Sequence, residues 1–79
     1  MTTARVLLYV TEAAQRHGVT ADAVLGRDRK RRVAHARFEV MRRLRADGWS
    51  LTQIGRALGR HHTTVLHGLA APAPGRWWA

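Results

Sequence analysis

Cysteine is absent from this chain, so neither a disulfide nor a thiolate-bound zinc can brace it. Carboxylates are few. Glu12, Asp22, Asp28, Glu39 and Asp47 offer no paired acids, no nucleophile-base pair and no glycine-rich phosphate loop, so no catalytic centre can be assembled from them. The chain is therefore expected to be a binding protein and not an enzyme. The longest strongly apolar run, Val6-Leu-Leu-Tyr-Val10, is too short to span a bilayer, and no cleavage site follows the N-terminal apolar patch. A cytoplasmic, nucleoid-associated protein without a membrane role is expected.

Positive charge is abundant. Fourteen Lys and Arg stand against five Asp and Glu, giving a formal net charge of +9, and every cation but Lys30 is arginine. The planar guanidinium suits bidentate phosphate and guanine contacts better than an ammonium point charge does. Such a charge predicts an anionic partner, and nucleic acid is the commonest one. With 46% hydrophobic residues in a 79-residue chain, one small helical domain is within reach.

The class read from the pattern is all-α, a bundle of about five helices in residues 1–70, followed by an Ala/Pro-rich tail over 71–79 that ends in Trp77 and Trp78. Residues from about 3 to 17 put Val6, Leu7, Val10, Ala13, Ala14 and His17 on one stripe, with Gly18 as a stop. Thr20 caps a short second helix over 21–25. The basic segment Arg27-Asp-Arg-Lys-Arg-Arg32 runs into a third helix with Val33, Ala36, Val40, Met41 and Leu44 on one face. Arg37, Arg42, Arg43 and Arg45 form its basic outer side, Glu39 and Arg43 stand at i,i+4, and His35 is expected at the surface. Ser50-Leu-Thr-Gln53 reads as a capping box, with Trp49 and Ile54 placed as a hydrophobic staple. Gly59 then turns the chain into a fifth helix over about 62–70.

The fourth and fifth helices read as a helix-turn-helix. Gly55 is the small contact, Gly59 the turn and Val65 the apolar anchor, with Ile54, Leu58, Leu66 and Leu69 facing inward. Arg60, His61, His62, Thr63, Thr64 and His67 cluster at the start of the fifth helix, the end such a helix presents to base edges in the major groove. Threonine methyls suit thymine, and His or Arg can donate to guanine acceptors. Thr63 and Thr64 as mere solvated caps remain the plainer alternative.

The run Arg-His-His-Thr-Thr-Val-Leu-His67 resembles the C-terminal DNA-binding domain of the bacterial replication initiator DnaA, where the same stretch reads Arg-Asp-His-Thr-Thr-Val-Leu-His. The likeness extends to Ser50-Leu-x-x-Ile-Gly-Arg-Ala-Leu-Gly59, Arg29-Lys-Arg-Arg-Val-Ala-His-Ala-Arg37 and Thr20-Ala-Asp-Ala-Val-Leu-Gly26, about residues 4 to 70. It implies that Arg29 enters the minor groove, that Arg37 contacts the DNA backbone, and that His62, Thr63 and Thr64 read or position bases. Lys30 and Arg31 of the basic loop and Thr52 join the candidate contacts, the loop being able to reach phosphates and a narrow groove. His61 stands in place of the family's acidic residue, Thr52 in place of a proline and Phe38 in place of a glutamine, and the turn has one glycine where two are usual. These departures bear on the target sequence and not on the mode of binding. No Gly-x-x-x-x-Gly-Lys-Ser/Thr loop occurs, so a free-standing DNA-binding module, regulatory or phage-borne, is expected instead of an ATP-hydrolysing initiator.

Three further readings stand beside this one. His61, His62 and His67 lie close in sequence but share no single helical face, so no metal or other cofactor is expected. Trp77 and Trp78 either fold back on the first or fifth helix or anchor a protein partner, which would make the chain an adaptor for an acidic protein. Acidic lipid on the basic side of the third helix is a weaker option. Nothing resembles a heptad seam that would fix an oligomeric state.

Overall fold

Helix punctuation along this chain is local and strong, and it sets the element boundaries. The computed structural model describes residues 2–70, with side chains from residue 4 onward. The tail with Trp77 and Trp78 lies outside the described residues. Five helices follow in order, α1 (Thr2–His17), α2 (Ala21–Leu25), α3 (Arg31–Ala46), α4 (Leu51–Leu58) and α5 (His62–Ala70), with no strand among the described residues. The Thr20 hydroxyl accepts the Ala23 amide at 3.1 Å to start α2. At α4 the capping box is complete: Ser50 Oγ accepts the Gln53 amide at 3.1 Å, and Gln53 Oε1 accepts the Ser50 amide at 2.8 Å.

Three helices end in the same way. After α4, the Arg60 amide reaches back to the Gly55 carbonyl at 2.7 Å and the Gly59 amide to Arg56 at 3.4 Å, the paired bonds of a Schellman cap. That cap places Gly59 at φ +66°, a conformation costly for any residue with a side chain. α1 and α3 close with the same pair of bonds, at Gly18 and Gly48.

The core joins all five helices. Val6, Val10, Ala13 and Ala14 of α1 meet Ala36, Val40, Met41 and Leu44 of α3, and Val24, Ile54, Leu58 and Val65 complete the cluster. Trp49, Phe38, Val19 and Leu69 pack partly buried at its margin. Met41, Leu44 and Ile54 are fully enclosed, and truncating such a side chain to alanine costs about 2–5 kcal/mol.

Several faces differ from the sequence reading. Leu7 and Leu66 are about half exposed rather than inward. α5 turns Val65 and Gly68 toward the core, because Gly68 lets it approach α3 so closely that a Cβ there would stand 2.6 Å from Met41 Sδ and 2.8 Å from Phe38. That rotation carries Leu66 off the inner face. His35 is buried, not at the surface. Glu39 does not pair with Arg43. It reaches across to α1, bonding Arg16 and, at 2.9 Å, the buried His17, while Arg43 bonds Glu12 at 2.5 Å and lies 4.0 Å over the Tyr9 ring. Among the described residues, no helix is long and apolar enough to cross a membrane.

Candidate nucleic-acid interface

α4 and α5 form the helix-turn-helix through a backbone contact that only glycine permits. A Cβ on Gly55 would run into the carbonyl oxygen of Arg60 and come within 3.5 Å of the His62 amide. Beside that contact, His61, His62, Thr63, Thr64 and His67 are all exposed.

His61 begins the helix. The Thr63 backbone amide points at His61 Nδ1 at 3.3 Å, and Thr63 Oγ1 lies 2.8 Å from the same nitrogen. A backbone N–H can only donate, so Nδ1 is the acceptor, and the neutral ring carries its proton on Nε2. His61 thus fills the N-cap role usually taken by Ser, Thr or Asp, and leaves Nε2–H as a donor. The rings of His61 and His62 lie 4.3 Å apart between centroids.

The basic loop between α2 and α3 is also shaped from within. Asp28 Oδ1 accepts the Lys30 amide at 2.9 Å, an Asx turn, while Arg29, Lys30 and Arg31 are exposed. Two arginines expected as DNA contacts bond backbone carbonyls of the protein itself. Arg37 is buried. Its Nε donates to the Val24 carbonyl at 2.9 Å, and its Nη2 donates to those of Gly26 at 3.1 Å, Asp28 at 3.2 Å and Ala23 at 3.3 Å. Burial, and then the charge of Arg60, push its pKa below the usual guanidinium value. Arg60 is half-buried and donates to the Gly26 carbonyl, with longer bonds to Leu58 and Gly59. These bonds fasten the loop beside the turn into α5, so the two candidate surfaces lie together.

Within the loop, Asp28 also lies 4.0 Å from the Lys30 ammonium. Glu12, Glu39 and Asp47 are bound in ion pairs between α1 and α3, Asp47 with Arg5 at 3.3 Å. No Asp or Glu follows Asp47 in the sequence. Thr52 and Arg56 are exposed on α4. The sequence reading passed over Arg56, although the lack of acid beyond Asp47 marks every cation there as uncompensated locally. Among the described residues, no group of three His, Cys, Asp or Glu side chains is placed to hold a metal ion.

With this geometry in view, the family model described as the bacterial dnaA protein helix-turn-helix matches residues 10–71. The chain belongs to the bacterial DnaA helix-turn-helix family. It is 46% identical over 59 residues to the chromosomal replication initiator protein DnaA of Herpetosiphon aurantiacus, an alignment covering 72% of this chain and 12% of that protein. The chain therefore spans about an eighth of that relative's length. No solved structure matches it. The DnaA family match takes in α2 to α5 and the second half of α1, and so both candidate surfaces.

Proposed function

We propose that this DnaA-type domain is a sequence-specific double-stranded DNA-binding protein, acting in replication or its regulation on a site like the DnaA box. α5 enters the major groove by its N-terminal end, with His61 Nε2–H, His62, Thr63 and Thr64 toward base edges. Arg29 enters the adjacent minor groove, and Lys30, Arg31, Thr52 and His67 meet the phosphate backbone. The observation that carries this reading is the fastening of the cationic loop beside the start of α5 by Arg60 and Arg37, next to helices α4 and α5, which contain no Asp or Glu.

The test is equilibrium binding of Arg29→Ala and Thr63→Ala to a duplex selected by the wild-type protein. Each should weaken specific binding by about tenfold or more, the usual loss for one good base contact. Full affinity in both variants contradicts the assignment. His61→Asp should shift the base preference at one position toward cytosine, because a carboxylate accepts from the cytosine amino group where the imidazole donates. An unaltered preference in a randomised-site selection would remove His61 from the reading set.

A further inference from the structure

The loop after α2 and the turn before α5 are remote in sequence yet share an acceptor. The Gly26 carbonyl takes N–H donors from both Arg37 and Arg60. Arg37 also bonds the Val24 carbonyl at the end of the five-residue α2, the Ala23 carbonyl, which already accepts the Gly26 amide, and the Asp28 carbonyl in the loop. Two guanidinium groups converge here and repel one another, and the carbonyl oxygens around them offset that repulsion. Engaged in this way, both heads are bonded to the protein's own backbone.

We propose that Arg37 and Arg60 form a clip on the Gly26 carbonyl that fixes the basic loop against the entry to α5, and that this clip sets sequence specificity without touching DNA. The inference rests on the DNA-reading function proposed above. A reader that engages two grooves at once needs both elements in fixed register, because ordering a loose loop on binding costs affinity. Arg29 lies three residues beyond Gly26, and His61 follows Arg60 directly, so the clip stands at the root of both. Nonspecific attraction depends only on net charge and does not need this register.

The test uses the full chain and Arg60→Lys, which keeps the charge and loses the fork. In DNA-free protein, amide exchange should rise at residues 27–30 and 59–61 and stay unchanged in α1 and α3. Unchanged exchange at both segments overturns the clip. In binding assays at fixed salt, Arg60→Lys should lose about tenfold on a duplex selected by the wild type, the effect of one charge-assisted hydrogen bond. It should bind a scrambled duplex within about twofold of wild type, with an unchanged salt slope. If Arg60 instead meets a phosphate, Arg60→Lys keeps its affinity for both duplexes, while Arg60→Ala weakens both and lowers the salt slope by about 0.9. That result overturns the proposal. Arg37→Lys should repeat the specific loss, and if it unfolds, the more exposed Arg60 decides the matter. A wild type that selects no sequence overturns the DNA-reading function itself, an outcome distinct from a selected site that Arg60→Lys binds as well as wild type.

Discussion

Arg37 and Arg60 show how little a residue's type says about its task. Both sit in a sequence rich in exposed arginines, and both donate to backbone carbonyls at the end of α2 and in the loop that follows it. The DnaA motif marked the two positions, but only the three-dimensional meeting of the two segments separates clip from contact. His35 was misread for a related reason. It follows a basic run in sequence, yet α3 is rotated so that the ring is enclosed. That burial, together with positive charge from His17, Arg31 and Arg42, holds its imidazole below the usual 6.5. The unfolded chain therefore binds this proton more readily than the folded one. The stability conferred by the neutral ring is complete above about 6.5 and is lost as pH falls through that value toward the lower folded pKa. Thermal midpoints should decline from about pH 7.5 to 5.5, with a smaller decline in His35→Gln, and parallel curves for the two proteins would contradict this account.

Element boundaries were legible because they rest on local chemistry. The capping box at Ser50 and Gln53, the Thr20 cap and the glycine at each Schellman turn act within a few residues of themselves. Ser50→Ala should lower unfolding free energy by about 1 kcal/mol in denaturant titrations, and an unchanged midpoint would show that the cap contributes nothing. Faces were less legible, since they depend on which helix approaches which. Leu66 lost its inward place because Gly68 sets how α5 meets α3, and Glu39 chose Arg16 and His17 across the helix interface over Arg43 on its own helix. The two close-approach glycines should differ in consequence. At Gly55 a methyl meets the backbone of Arg60, which cannot yield without opening the helix-turn-helix, so Gly55→Ala should cost about 3 kcal/mol or more and abolish binding. At Gly68 the obstruction is side chains, led by the flexible end of Met41, so Gly68→Ala should cost about 1–3 kcal/mol and leave a folded protein. Equal midpoints for the two variants would contradict that ranking.

Over the whole molecule, Glu12, Glu39 and Asp47 tie α1 to α3 and its end, while exposed cations stand on the loop, where Asp28 pairs with Lys30, and on α4, and no Asp or Glu follows Asp47. Affinity for duplex DNA should accordingly fall steeply with salt, by about 0.9 in the logarithmic slope for each phosphate engaged. A binder of acidic protein would share that salt dependence, so charge alone does not separate the readings. What separates them is sequence preference, which arises from base edges and groove width and not from net charge. The decisive measurement is binding-site selection by the full chain from a library of random duplex DNA. The account predicts enrichment of one short asymmetric site, bound at least about a thousandfold more tightly than its scrambled counterpart at physiological salt. Recovery of unenriched sequences, all bound with equal affinity, would contradict it.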